Sequence, residues 1–146
     1  MAAPVVYKEF DRADFARFDA PARDKAKSFW SSQGYDCTDH PDEYDVDLVV
    51  SGKGRHFFCE TEVKQRWDGL KFPFDTLHIP LRKAKFLGQP TVFMVFNVSL
   101  KSAGIVSQQY LQSAEIKEVA NNRIAWGEKF FDVPVDKVNF FNLAGI

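Results

Sequence analysis

The chain has 146 residues, 45% of them hydrophobic and 15% aromatic, with 15 Phe and a formal net charge of −1. That length suits one hydrophobic core rather than two, and the apolar content excludes a disordered chain. Near-neutrality argues against an extended basic footprint on nucleic acid, because sequence-independent binding is mostly phosphate neutralisation.

No apolar run approaches the roughly 20 residues of a membrane helix. The start, "MAAPVVYKEFDRADF", lacks the basic flank and apolar segment of a signal peptide. The sequence therefore predicts one domain over residues 1–146 of an intracellular, cytoplasmic protein with no membrane partner. Cys37 and Cys59 sit in no CxxC pair and beside no histidine at zinc-ligand spacing, so both read as reduced, Cys59 as a small core residue.

In chain order, Phe10, Phe15 and Phe18 predict a short turn or helix packed on the core. Asp19 reads as the N-cap of a helix that tolerates Pro21 in its first turn, carries the apolar stripe Ala22, Ala26, Phe29 and Trp30, and ends at Gly34. Arg23, Lys25 and Lys27 fall on its outer face. "YDVDLVV" alternates with period two, "SGKG" is turn chemistry, and "RHFFCETEVKQRW" reads as the returning strand of a hairpin. "DGLKFPFDTLH" reads as a loop, and "IPLRKAKFLG" as a helix with Pro80 in its first turn and Gly88 at its end. "TVFMVFNV" has the continuous apolar pattern of a strand buried on both faces. Strand, helix and buried strand in that order make a crossover joining parallel strands. The remainder, with turn signals such as Asn121-Asn122, predicts edge strands and loops.

Side chains alternate across a strand, so the hairpin has two chemically distinct faces. With an even number of turn residues, Asp45 and Asp47 share a face with Glu60, Glu62 and Lys64; an odd number splits the set. Carboxylates gathered in this way repel one another unless a cation compensates them, and a hard divalent ion with oxygen ligands is the natural compensation. Lys64 would point its ammonium at the same place, where it could position a water or offset phosphoryl charge. A solvated hairpin surface, its acids paired with Lys64 and Arg66, is the plain alternative for an isolated Glu-x-Lys.

The order of features over residues 19–98 adds to this. "VDLVV", turn, "ETEVK", crossover and buried strand together resemble the PD-(D/E)xK nuclease superfamily. The resemblance implies an α/β, restriction-endonuclease-like mixed sheet flanked by helices, with core order helix-strand-strand-helix-strand. It implies a metal-dependent nuclease that hydrolyses DNA phosphodiesters, with Asp47 and Glu62 as metal ligands joined by the backbone carbonyl of Val63, Lys64 as the catalytic lysine, and Mg²⁺ or Mn²⁺ as cofactor. Val46 replaces the proline that names the motif, and the first helix has no glutamate to complete the site. Glu9, Asp24 or Glu60 could substitute, with Glu60 preferred for its place on the shared face. "IPLRKAKFLG", "FMVFN" and "GEKFFDVP" are similar to phrases of small phage-encoded members, which would place the protein in a host cytoplasm. DNA is the implied partner, and a chain this small and near-neutral would gain reach from a homodimer or a protein partner. The competing expectation is a catalytically inactive nucleic-acid- or protein-binding module of the same fold.

Arg82, Lys83 and Lys85 are candidates to contact DNA phosphates, with a solvated helix face as the alternative; Arg82 or Lys83 should lie nearest the site. His40, His56 and His78 lack zinc spacing, and His78 reads as a loop residue that could approach substrate. Trp67 and Phe72 could stack on an unpaired base, although core packing is the stronger reading. No phosphate-binding GxxxxGK[ST] loop and no Ser or Cys triad signature occurs.

Overall fold

The computed structural model describes residues 13, 15–42, 44–119 and 128–146; Glu9, Phe10 and the Asn121-Asn122 turn lie outside them. A π-helical turn, Phe15–Asp19, runs directly into helix α1 (Ala20–Ser32). Asp19 has helical dihedrals (φ −71°, ψ −47°), so it continues the helix and does not cap it. Ala22, Ala26, Phe29 and Trp30 are all buried, as their spacing predicts. Gly34 closes the helix at φ +89°, where the Tyr35 amide donates to the Trp30 carbonyl.

Among the described residues nine strands follow: β1 (Asp36–Asp39), β2 (Leu48–Gly52), β3 (Arg55–Val63), β4 (Thr76–Pro80), β5 (Thr91–Phe96), β6 (Ser102–Ser107), β7 (Glu115–Val119), β8 (Glu128–Pro134) and β9 (Asn139–Asn142). Six form a mixed sheet in the order β1-β2-β3-β5-β6-β9, and the other three form a second sheet in the order β4-β8-β7. Among the described residues only the β3–β5 pair is parallel.

The hairpin turn is Lys53-Gly54, with φ of 53° and 72°, the two-residue form whose twist matches its strands. Its even length fixes the register at Leu48↔Cys59 and Val50↔Phe57, and all four side chains pack with the α1 stripe, Met94 and Phe96. The opposite face packs Phe93, Val95 and Val106 against Leu77 and Ile79 of β4, Phe131 and Val133 of β8, and Phe86. β5 is buried on both sides, as its continuous apolar run predicts.

The crossover differs from the expected helix. Thr76–Pro80, read as loop and helix start, is strand β4, and Leu81–Phe86 is a 3₁₀ helix. β4 lies at the edge of its sheet, where a terminal Pro80 does no harm because its missing N–H is needed by no neighbour. The observed order thus adds β1 between helix and hairpin and β4 before the crossover helix. The C-terminal part, expected as edge strands and loops, supplies β6 and β9 to the main sheet and β7 and β8 to the second. None of the helices among the described residues is long and apolar enough to cross a membrane.

Candidate active site

β3 carries Glu60 and Glu62 on the face turned toward the second sheet, in register with Phe93 and Val95 of β5. Apolar neighbours on that face desolvate them. Burial pushes Glu60 up to about 7; Lys83 offsets part of this and Asp47 adds to it. Glu62 is also desolvated, but Lys64, Lys83 and Arg82 outweigh burial and hold its carboxyl below the ordinary value. Lys64 Nζ lies 3.1 Å from Glu62 Oε1.

Asp47 does not follow strand alternation. In β3 the Phe58 and Lys64 amides donate toward β5, to Pro90 and Phe96. By alternation the Thr61 amide faces the side where β2 has already ended. The Asp47 carboxylate takes that amide at 2.9 Å and the Thr61 hydroxyl at 2.8 Å on one oxygen. Its other oxygen accepts from Arg23 at 2.7 Å. Meanwhile the Asp47 amide donates to Glu60 Oε1 at 3.0 Å. Asp47 therefore reaches Glu60 through its backbone, while its carboxylate replaces a missing ladder partner. The same alternation turns the Val63 carbonyl toward the side that β2 has left.

Asp45 leaves the expected group. Its carboxylate bonds to the Val46 amide at 2.7 Å and to Gln89 at 3.1 Å, and its pKa is lowered chiefly by the Val46 contact. The expected four acids are therefore three, Asp47, Glu60 and Glu62. The reason is local: Val46 turns into the opposite apolar cluster, which takes residues 45–47 out of pleated geometry.

Lys83 enters the cluster from the crossover, with Nζ 2.7 Å from Glu60 Oε2. Burial works against its charge, yet Glu60, Glu62 and Asp47 raise its pKa. A 3₁₀ helix places residues three apart on one side, so Lys83 follows buried Phe86 inward. Arg82 instead pairs with Glu128 at 2.6 Å, and Lys85 lies over the Phe86 ring. Arg23, read as outward-facing, lies three and seven residues before buried Ala26 and Trp30. That helical spacing brings it to the sheet, and it was the overlooked signal.

Glu9 lies outside the described residues. Asp24 is exposed, which leaves Glu60 as the described acid adjoining Asp47. Among the described residues no group of three His, Cys, Asp or Glu side chains converges as a ready-made metal cage. The chemistry of the donors nevertheless suits a hard divalent ion: carboxylate oxygens and a carbonyl, at a place where Glu60, Glu62 and Asp47 favour the positive charge of Lys83. His78 belongs to β4, with Nε2 2.9 Å from Asp132 Oδ1. Trp67 is fully buried.

No protein-family model and no curated protein matches the chain. Among solved structures, the Holliday junction resolvase Hjc of Archaeoglobus fulgidus is similar over 80% of this chain and 84% of its own, with a TM-score of 0.51 and 7% identity. The chain shares the fold of this resolvase, a mixed sheet flanked by helices. D212, a nuclease from a fusselovirus, covers 94% of this chain and 92% of its own at a TM-score of 0.47 and 14% identity. The segment "VDLVV" leads into the start of β2, and "ETEVK" forms the exit of β3.

Proposed function

We propose that the protein is a divalent-metal-dependent deoxyribonuclease that hydrolyses phosphodiesters at Asp47, Glu60, Glu62 and Lys64. One observation carries the reading: in a nuclease fold, three ion pairs, Arg23–Asp47, Lys64–Glu62 and Lys83–Glu60, lie where β2 parts from β3, with the Asp47 amide bonded to Glu60. A surface selected only for solubility would not desolvate Glu60 to this degree.

Asp47 and Glu62, with the Val63 carbonyl and Glu60 as auxiliary, would hold Mg²⁺ or Mn²⁺. When bound, such an ion supplies Lewis acidity at the scissile phosphate. Lys64, adjoining Glu62, orients the attacking water and offsets charge on the phosphoryl oxygens. Glu60, with a pKa of about 7, can hold or release a proton at working pH. Arg23 fixes the Asp47 carboxylate, and Lys83, once exchanged from Glu60, is free to meet a phosphate. Arg82 and Lys85 extend that basic edge toward the DNA backbone. A homodimer or protein partner would lengthen the reach, and light scattering on the active protein tests that.

The purified protein is incubated with Mg²⁺ or Mn²⁺ and plasmid, linear, single-stranded and four-way-junction DNA, the last because the similar Hjc is a Holliday junction resolvase. Cleavage that needs the ion, stops with chelator and is lost in Lys64→Ala at unchanged melting temperature supports the reading. If neither ion yields cleavage of any substrate and calorimetry detects no ion binding, the catalytic reading fails and the binding-module alternative replaces it.

A further inference from the structure

Beside Lys64 lies a cavity of about 380 Å³ whose wall also includes Arg66, Phe72, Phe74, Thr76 and His78. Its composition is that of a nucleotide site: aromatic faces, two cations and hydrogen-bonding groups. We propose that this cavity is a subsite for an unpaired nucleobase next to the scissile phosphate, so that the substrate class is DNA with a single-stranded or splayed nucleotide. The placement next to the cut rests on the nuclease reading.

Two features make the wall a preformed platform. The loop leaving β3 is pinned: the Trp67 amide donates to the Lys64 carbonyl (3.0 Å), the Val98 amide to the Trp67 carbonyl (2.9 Å), and Asn97 Nδ2 to the Gly69 carbonyl (2.9 Å). Phe72 is then held edge-on to Trp67 (5.1 Å) and stacked with Phe140 (5.7 Å). Phe74 touches Phe72 edge-on and remains 49% exposed, an aromatic ring held in place yet open to solvent. On the opposite side, His78 is stacked on Phe130 and anchored to Asp132.

A rigid aromatic wall loses little conformational freedom on binding, and stacking accepts any base because every base has a π-face. Lys64 and Arg66 supply the charge for flanking phosphates. A paired base cannot enter, since its faces are covered by its neighbours in the duplex. The cavity therefore discriminates by strand state and not by sequence.

The test uses 2-aminopurine at an unpaired position of a forked DNA, with chelator present so that binding is read without cleavage, and a fully paired duplex of equal length as control. Phe74 is exposed and lies outside the cores, so Phe74→Ala should fold normally, which its melting temperature checks. By the usual value of one base stack, Phe74→Ala should weaken forked-DNA binding roughly tenfold, abolish the 2-aminopurine quench and leave duplex binding unchanged. Phe74→Trp should restore both. Equal effects on fork and duplex, or no effect on either, overturn the proposal; so does a wild-type protein that binds the duplex as tightly as the fork. Phe74-dependent fork binding without metal-dependent cleavage would retain the subsite and remove the nuclease reading. Cleavage indifferent to Phe74 would do the reverse.

Discussion

Asp47→Asn separates two views of the site. If Asp47 were one of several carboxylates held together at a repulsive site, neutralising it should stabilise the ion-free protein. The structure predicts the opposite. One oxygen of Asp47 takes the Thr61 amide and hydroxyl, the other takes Arg23, and the side chain is only 14% exposed. An asparagine has one acceptor oxygen, so either orientation sets an NH₂ against a donor. Leaving a buried donor unsatisfied costs about 1–3 kcal/mol. The Arg23 pair, part-exposed on the arginine side, adds less than about 1 kcal/mol after screening. Relief of the repulsion felt by Glu60 works the other way and is of similar small size, leaving a net loss of about 2 kcal/mol. For a chain of this length that lowers the melting temperature by roughly 4–8 °C. Differential scanning calorimetry at pH 7 in chelator measures it; an unchanged or higher melting temperature refutes the assignment of Asp47 as the partner of Thr61 and Arg23.

Three further outcomes follow from the same geometry. Glu60 has a folded pKa of about 7 against 4.5 in the unfolded chain, so its contribution to stability is complete below pH 4.5 and is lost as the pH rises through 7. Chemical denaturation in chelator should lose about 3 kcal/mol across that window, in a component absent from Glu60→Gln; a flat profile common to both proteins counts against it. Lys83→Met should move the Glu60 titration to higher pH, since Lys83 lowers it; carboxyl ¹³C NMR reads this, and an unchanged midpoint would separate the two groups. Gly104→Ala places a Cβ 2.7 Å from Val138 Cγ1 and 3.0 Å from the Phe140 ring, so it should destabilise by about 1–3 kcal/mol in urea denaturation; a neutral result would mean that β9 yields freely.

The parts legible in the sequence were those governed by periodicity. The stripe from Ala22 to Trp30, a turn within "SGKG" and the doubly buried β5 each follow from spacing and turn chemistry alone, whereas the even length of that turn is fixed by the structure. What was not legible depended on partners distant in the chain. Thr76–Pro80 is a strand because β8, more than fifty residues later, pairs with it; without β8 its proline reads as a helix start. Asp47 leaves the alternating pattern because β2 ends before β3 does, and a side chain takes over the hydrogen bond of the absent strand. Arg23 looks like an ordinary solvated cation until the phase of α1 brings it to Asp47, and of Arg82 and Lys83, both expected near the site, the 3₁₀ geometry turns Lys83 to Glu60.

The two-residue turn at Lys53-Gly54 also sets what variation the hairpin tolerates. β3 is locked between β2 and a parallel partner, so a change in turn length falls on β2. Lengthening the loop by one residue would exchange the two sides of β2, sending Leu48 and Val50 away from α1, or would force a bulge. Lengthening it by two would preserve every inward and outward position. Length drift among descendants of this chain should therefore proceed in pairs at this corner, and an engineer inserting a tag or sensor here should count in even numbers.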